Sequence, residues 1–202
     1  MMRVAILASG NGSNFQSIID AASRDELPNC NIILLIANKE EAYAIERAKK
    51  HKINYKIIES YNKKREEFDQ EVLDVLRENN IEIIVLAGFM RILSKAFIEE
   101  YKNKIINIHP SLLPSFPGAH AHRDAIRAGA KESGCTVHIV DEGVDTGPII
   151  MQQSVTVDAN DDEDTLASKI LPLEHYIFPK ALHLLTSGKL EINKGKVIIK
   201  SD

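Results

Sequence analysis

The sequence contains no tryptophan and only 2 cysteines in 202 residues. Cys30 and Cys135 are far apart and form no CxxC pair, so neither a disulfide framework nor a cysteine zinc site has support. We expect both to be small, buried apolar side chains. No apolar run approaches the roughly 18 residues of a membrane span, and the chain turns polar too early for a secretory signal. These absences predict a cytoplasmic protein without a membrane partner.

An excess of charge of one sign is also missing, since 25 Lys and Arg residues oppose 29 Asp and Glu residues for a net charge of −4. This balance provides no overall attraction to nucleic acid, and we expect no nucleic-acid partner. Hydrophobic residues at 44% and charged residues at 27% are typical of a globular protein with a sizeable core. The length predicts a single domain over residues 1–202.

Apolar segments of strand length alternate with amphipathic segments of helical spacing. The predicted strands cover residues 3–8, 32–37, 55–58, 81–86, 104–108, 136–140 and 149–157, and the predicted helices cover 14–22, 42–50, 63–78, 94–101, 122–128 and 163–186. This alternation predicts an α/β fold, a single Rossmann-like domain with a mostly parallel central sheet and helices on both faces. Ligands of such folds bind at the carboxyl ends of the strands. Residues 189–200 are predicted to form a small C-terminal hairpin.

A glycine-rich loop, residues 10–14 with the sequence GNGSN, joins the first strand to the first helix. Glycines there let the backbone approach an anion, and we expect Ser13 or Asn14 to cap the helix. The loop lacks the third glycine of GxGxxG, and the second strand is followed by Asn38 where a dinucleotide site requires an acidic residue. NAD binding is therefore disfavoured. A phosphate site and a tight capped turn without a ligand both explain these residues.

Asn107 and His109 fall at the end of the predicted fifth strand, and Asp145 lies in a loop that opens on the same edge of the sheet. A carboxylate beside an imidazole favours the protonated ring. That ring and the Asn107 amide supply donors for an oxyanion at an attacked carbonyl, which suits acyl-type transfer. A histidine used for packing and an aspartate used for turn formation explain the same positions.

Four histidines at positions 109, 120, 122 and 138 are potential transition-metal ligands. An i, i+2 pair such as His120 and His122 diverges on a helix, and no HExxH pattern is present, so we expect no metal. Arg65 and Arg91 are solvated side chains or partners of a carboxylate ligand.

Four segments identify a resemblance to a known family: GNGSN at 10–14, VLAGFMRIL at 85–93, NIHPSLLPSFPG at 107–118 and HIVDEGVDTGPII at 138–150. Together they closely resemble phosphoribosylglycinamide formyltransferases, in the family's order. The resemblance implies formyl transfer from 10-formyltetrahydrofolate to the amine of glycinamide ribonucleotide, in a cytoplasmic enzyme of purine synthesis that needs no metal and is a monomer or homodimer. It also implies a catalytic trio of Asn107, His109 and Asp145.

The same resemblance implies the residues of both substrate sites. The nucleotide is expected at Gly12, Ser13, Asn14 and Glu174. The folate is expected at Arg65, Met90, Arg91, Ile92, Leu93, Asn107, Asp141, Glu142, Gly143, Val144 and Asp145. One loop reads PGAHAH where the family pattern is PGLHTH, so no role is assigned to His120.

Two other activities are compatible with much of this pattern. A formyltetrahydrofolate hydrolase resembles the fold but carries an additional amino-terminal regulatory domain, and a folate or nucleotide sensor without turnover retains the binding segments. Methionyl-tRNA formyltransferase shares an NxHxSLLP segment but adds a basic carboxyl-terminal domain. Because this chain opens on its first strand and keeps the trio, the glycinamide ribonucleotide enzyme is the first choice.

Overall fold

The computed structural model describes residues 1–200, and in this range a seven-stranded sheet forms the centre of the protein. Its strands are β1 (Met2–Ala8), β2 (Cys30–Ala37), β3 (Asn54–Ile57), β4 (Ile83–Leu86), β5 (Ile105–His109), β6 (Glu132–Ile139) and β7 (Ile149–Thr156). The helices are α1 (Ser13–Ser23), α2 (Ala44–Lys50), α3 (Arg65–Glu78), α4 (Lys95–Glu100), α5 (Ala121–Arg127) and α6 (Glu163–Thr186). A separate hairpin follows, of β8 (Leu190–Asn193) and β9 (Lys196–Ile199).

The strands lie in the order β3-β2-β1-β4-β5-β6-β7. The pairs among β1 to β5 are all parallel, whereas β6 and β7 pair antiparallel at one edge. The prediction of a mostly parallel α/β sheet is therefore confirmed. The strand order reverses between β1 and β4, and this arrangement opens a crevice at the carboxyl ends of these two strands.

The two faces of the sheet are covered by different helices. Along β1, Val4 and Ile6 belong to the core that contains apolar residues of α1, α2, α5 and α6, whereas Ala5 and Leu7 belong to the core built with α3 and α4. This alternation follows from the period-2 geometry of a strand. Because both faces are buried, the central strands β1, β2 and β4 consist mainly of apolar residues, and helices on both faces are confirmed.

The longest helix, α6, begins at a capping box. The Asp162 carboxylate accepts a hydrogen bond from the Thr165 N–H at 2.8 Å, and the Thr165 hydroxyl accepts one from the Asp162 N–H at 2.8 Å. These reciprocal bonds satisfy two N–H groups that a helix start leaves unpaired. The helix then runs across the face of the sheet beside α1 and carries the buried Glu174 in its middle. In this way α6 delivers a carboxylate to the glycine-rich loop.

The start of one helix differs from the sequence prediction. Helix α2 begins at Ala44, two residues later than predicted, and the Ala44 N–H donates to the Gly10 carbonyl at 3.1 Å.

Cys30 and Cys135 are buried free thiols as predicted, and burial raises the pKa of each to about 12. Within residues 1–200, no helix has the length and apolarity required to cross a membrane.

Candidate active site

The glycine-rich loop turns sharply into α1 at Gly12. Gly12 is the N-cap residue, with a left-handed φ of +71°, and a β carbon added there would lie 2.7 Å from the Ala44 Cβ atom. Glycine is therefore required both by the backbone conformation and by the close packing of α2. The predicted cap by Ser13 or Asn14 is wrong, because the N-cap of α1 makes no side-chain hydrogen bond. The first N–H groups of α1 consequently lack a side-chain cap and suit an anion.

A cavity of about 220 Å³ lies at the crevice between β1 and β4. It is lined by Ser9, Gly10, Asn11, Gly12, Ser13, Asn14, Ala87, Gly88 and Met90. The two walls are joined at their base, since the Ser9 hydroxyl accepts a hydrogen bond from the Met90 N–H at 2.8 Å. The glycine-rich loop and the segment after β4 therefore form one continuous binding surface.

Asn14 serves a purpose other than capping. Its side-chain N–H donates to the Glu174 carboxylate at 2.7 Å, which connects the start of α1 to the middle of α6. Burial raises the pKa of Glu174, and the hydrogen bond from Asn14 acts in the opposite direction. Two residues of the predicted nucleotide site thus meet as a buried polar pair.

The predicted catalytic residues also converge. Asn107 and His109 are two residues apart on β5 and so project from the same face of the sheet. The His109 Nδ1 atom lies 3.3 Å from an Asp145 carboxylate oxygen, and Nε2 lies 2.8 Å from the Phe116 carbonyl oxygen. The imidazole is therefore held from both sides and is buried except for 4% of its surface.

Asp145 has a conformation that is rare outside glycine, with a φ of +55°. Its carboxylate accepts a hydrogen bond from the Gly118 N–H at 2.8 Å, which ties the loop after β6 to the proline-rich loop after β5. Burial would raise the pKa of Asp145, but the hydrogen bonds from His138 and Gly118 and the charges of His109 and His138 together lower it. The carboxylate is therefore ionised at neutral pH.

His138 joins this group, although its sequence position suggested only a metal ligand. It lies opposite Asn107 in the antiparallel pair of β5 and β6. Its Nε2 atom is 3.2 Å from the Asn107 amide nitrogen and 3.5 Å from an Asp145 oxygen, while Nδ1 is 2.9 Å from the Ile139 carbonyl oxygen. A single residue thus touches two members of the predicted trio. This role of His138 becomes visible only from the register of β5 and β6.

The residues predicted to hold folate lie on two neighbouring segments. Met90, Ile92 and Val144 are apolar side chains exposed at 71%, 51% and 47%. A salt bridge of 3.2 Å between Lys95 and Glu142 joins the start of α4 to the loop after β6. The two segments therefore form facing walls with apolar surface available to a ligand.

Other residues in this set have internal partners. The Arg91 guanidinium lies 4.6 Å from the centre of the Phe68 ring and donates to the Ser60 carbonyl at 3.1 Å. Leu93 is buried in the core formed with α3 and α4, and Arg65 is exposed at the first position of α3. Arg91 and Leu93 thus contact the protein itself and support the segment of residues 90–93.

The loop at 141–145 is organised by its first side chain. The Asp141 carboxylate accepts hydrogen bonds from the Gly143 N–H at 3.1 Å and from the Thr146 hydroxyl at 2.7 Å. These bonds close a compact turn that presents Val144 and directs Asp145 toward His109.

Within residues 1–200, no three His, Cys, Asp or Glu side chains converge in a way that suits a metal ion. His120 is the N-cap residue of α5 and makes no capping hydrogen bond with its side chain. Burial lowers the pKa of the neighbouring His122. The cluster around Asp145 instead combines an ionised carboxylate, two imidazoles and an amide. Such a set can donate hydrogen bonds to a developing oxyanion and accept a proton.

Comparisons with known proteins agree with this arrangement. The sequence profile of a family described as formyl transferase matches residues 2–182. The chain is 39% identical over 195 residues to phosphoribosylglycinamide formyltransferase of Escherichia coli (strain K12), a match that covers 96% of this chain and 92% of that protein. The crystal structure of glycinamide ribonucleotide transformylase 1 from Symbiobacterium toebii superposes with a TM-score of 0.96 at 37% identity, covering 100% of this chain and 95% of that chain.

A longer relative contains the same unit. The chain is 50% identical over 191 residues to the trifunctional purine biosynthetic protein adenosine-3 of Drosophila pseudoobscura pseudoobscura, a match that covers 93% of this chain. The chain spans only 14% of the length of that relative. The conserved unit is therefore one part of a larger polypeptide there, whereas the bacterial relative consists almost entirely of it.

Proposed function

The chain belongs to the formyl transferase family, and from this premise we propose that it transfers a formyl group to the amine of glycinamide ribonucleotide. The donor is 10-formyltetrahydrofolate, and the products are formylglycinamide ribonucleotide and tetrahydrofolate. This is the phosphoribosylglycinamide formyltransferase step of purine synthesis. The enzyme acts in the cytoplasm on two small molecules, as a monomer or homodimer.

The nucleotide binds in the crevice between β1 and β4. Its phosphate accepts hydrogen bonds from backbone N–H groups at Gly12, Ser13 and Asn14, where α1 has no side-chain cap. The positive end of the helix dipole adds a favourable interaction with the dianion. The glycinamide end extends toward Glu174, whose carboxylate is buried beside Asn14.

The folate lies between the two walls that Lys95 and Glu142 connect. One wall consists of residues 90–93, and the other of residues 141–145. The exposed side chains of Met90, Ile92 and Val144 provide apolar contact for a flat ring system. Arg65 is exposed at the first position of α3 and offers a cation to a glutamate carboxylate of the folate.

The catalytic step uses Asn107, His109 and Asp145. The substrate amine attacks the formyl carbon, and the carbonyl oxygen becomes an oxyanion that accepts hydrogen bonds from the Asn107 amide and the protonated His109. Because His109 Nε2 lies 2.8 Å from the Phe116 carbonyl oxygen, donation from this nitrogen requires that contact to be exchanged for the oxyanion. Ionised Asp145 stabilises that protonated ring and accepts the amine proton through a bridging water. The bond between the formyl carbon and the folate nitrogen then breaks, and that nitrogen takes up a proton. Fixed donors activate the carbonyl, so the scheme needs no metal ion.

The observation that carries the proposal is the cluster around Asp145, in which the His109 ring lies 3.3 Å from the carboxylate and Asn107 contacts His138 at 3.2 Å. An ionised carboxylate that is largely buried against two imidazoles is typical of a catalytic site. The trio therefore favours a catalyst over a sensor.

The decisive experiment measures tetrahydrofolate formation from 10-formyltetrahydrofolate with and without glycinamide ribonucleotide. A transferase forms product only when the nucleotide is present, and formylglycinamide ribonucleotide appears in equal amount. A hydrolase releases formate at the same rate in both assays. A sensor binds both ligands in calorimetry but forms no product.

A further inference from the structure

Helix α2 holds the glycine-rich loop from outside the nucleotide crevice. The Ala44 N–H donates to the Gly10 carbonyl at 3.1 Å, and the Ala44 side chain lies against the Gly12 backbone. One turn further along the helix, Arg47 reaches the same loop. Three successive residues of the loop, Gly10, Asn11 and Gly12, therefore contact α2.

Arg47 makes the strongest of these contacts. Its Nε atom donates to the Asn11 backbone carbonyl at 2.9 Å, and Nη2 donates to the Asn11 side-chain oxygen at 2.9 Å. The remaining nitrogen, Nη1, donates to the Gln16 side-chain oxygen at 3.2 Å. Because the guanidinium is planar, these three bonds fix Asn11 and Gln16 in one plane relative to each other.

The partners of Arg47 are themselves fixed. The Gln16 amide nitrogen lies 2.8 Å from an Asp20 oxygen and 3.0 Å from the His51 Nε2 atom. The guanidinium also stacks on the Tyr43 ring, 5.0 Å from its centre. Arg47 thus connects the loop that precedes α1 with the first turn of α1 itself.

The side of α1 near Arg47 is open rather than closely packed. A cavity of about 330 Å³ runs along α1 there, and Ser13, Arg47 and His175 are among the residues that line it. Gly12 has a left-handed backbone and α1 has no side-chain cap, so on this side the loop is held by its contacts with Ala44 and Arg47. The cationic side chain is therefore the brace that keeps the loop against the helix.

We propose that Arg47 is a positioning residue for nucleotide binding: it holds the glycine-rich loop so that the N–H groups of residues 12–14 converge on the substrate phosphate. This inference rests on the proposed function, which puts the phosphate at that loop. Arg47 acts through Asn11 and leaves the folate walls unaffected. Its positive charge also draws the dianion toward the crevice.

Two substitutions separate the geometric and electrostatic parts of this role. Arg47→Lys keeps the charge but loses the planar fork, and we expect the KM for glycinamide ribonucleotide to rise about 3-fold. Arg47→Gln loses both, and we expect the nucleotide KM to rise on the order of 10-fold. Because this variant lacks the positive charge, added salt should weaken its nucleotide binding less than it weakens binding by the natural protein. The KM for 10-formyltetrahydrofolate stays within about 2-fold in both variants.

Lys50→Gln is the matched control, because it removes one positive charge from the exposed end of α2. Both KM values of this variant stay at the natural level. A merely structural role for Arg47 moves both KM values together or lowers kcat alone, and either result overturns the inference. So does a nucleotide KM in Arg47→Gln within 2-fold of the natural value. If Arg47→Gln fails to fold, the Arg47→Lys variant decides on the same criteria.

A second measurement keeps this inference separate from the proposed function. Backbone N–H resonances of Gly10 and Gly12 are recorded by NMR while inorganic phosphate is titrated into the natural protein and each variant. If the natural protein forms no product from glycinamide ribonucleotide, the proposed function fails, and the NMR result alone decides the role of Arg47. Displaced loop resonances and weaker phosphate binding in Arg47→Gln, but not in Lys50→Gln, support the brace. Unchanged resonances and affinity refute it.

Discussion

The Nδ1 atom of His109 lies 3.3 Å from a carboxylate oxygen of Asp145, although the two residues belong to different loops and strands. The same carboxylate accepts the Gly118 N–H and faces His138, and these groups lower its pKa despite burial. An ionised carboxylate is thereby kept beside one nitrogen of an imidazole whose other nitrogen lies 2.8 Å from the Phe116 carbonyl oxygen. The contact links the end of β5 to the loop after β6.

Replacing Asp145 with asparagine tests this contact at constant side-chain size. We expect Asp145→Asn to lower kcat by on the order of 100-fold or more, because it removes the partner of the protonated ring and the proton acceptor. Both KM values should change much less. Steady-state kinetics over a range of pH measure the effect, and Asp158→Asn, at an exposed surface ion pair, is the control. A kcat within about 3-fold of the natural value would show that Asp145 only shapes the turn.

The second prediction concerns Gly12. Gly12→Val places a β carbon 2.7 Å from the Ala44 Cβ atom on a backbone with φ of +71°, so the loop must move. We expect nucleotide affinity to fall by on the order of 10-fold or more, while folate affinity changes little. Calorimetric titration with each ligand measures this, and circular dichroism checks the fold.

Gly188→Val is the matched control for backbone strain. Gly188 has a φ of +69° and open space around its α carbon, and its neighbour Ser187 is near Asn29, just before β2 begins. This variant bears a similar conformational cost at the opposite end of the sheet. Equal loss of nucleotide affinity in both variants would remove the phosphate assignment of the loop.

The third prediction follows from the buried carboxylate of Glu174. Its raised pKa means that the folded state binds the proton more tightly than the unfolded state. The free energy of unfolding therefore falls as pH rises from about 4.5 through the folded pKa. Glu174→Gln removes this titration and keeps an oxygen that accepts the Asn14 bond.

We expect Glu174→Gln to have a higher Tm than the natural protein at pH 7.5, by about 2–4 °C for each kcal/mol recovered. The difference should vanish near pH 4, where the natural carboxyl group is protonated. Nucleotide affinity should decrease in the same variant, since an amide replaces the carboxylate that faces the glycinamide end. Thermal unfolding at both pH values tests the first effect, and a lower Tm at pH 7.5 would contradict it.

The fourth prediction concerns Arg91, which contacts Phe68 and Ser60 and belongs to the proposed folate wall of residues 90–93. Arg91→Ala should raise the KM for 10-formyltetrahydrofolate more than the KM for the nucleotide. Arg77→Ala removes an equally long side chain from a surface ion pair on α3 and should leave both constants unchanged. Equal increases in both constants for Arg91→Ala would indicate a general structural role instead.

Much of the fold was predictable because each buried strand is a continuous apolar run and each helix has a clear amphipathic period. The bounds of α6 were predicted to the residue because the acidic start and the apolar stripe are both strong signals. The antiparallel direction of β6 and β7 was not predicted, since the residue pattern of a strand does not specify the direction of its neighbour. The folate and nucleotide residues stay predictions.

The details of the site were harder to predict from the sequence. His138 joins Asn107 through strand register, which no local pattern in one sequence encodes. Arg47 resembles any solvated arginine of a surface helix until the packing of α2 against Gly12 is known. The prediction of the helix cap was wrong because Gly12, rather than a residue with a capping side chain, occupies the N-cap position. The roles of His138, Arg47 and Gly12 all depend on the folded backbone, which local sequence patterns do not specify.

The hydrogen bond between Asn14 and Glu174 spans 160 positions of the chain. During synthesis from the amino terminus, the glycine-rich loop and the catalytic trio are made before α6 is complete. If the proposed assignment holds, a growing polypeptide therefore contains the predicted catalytic residues early but completes the proposed nucleotide site only when α6 has been made. Under the same proposal, tight binding of the nucleotide requires a chain that has folded through α6, and the ligand stabilises that folded state alone.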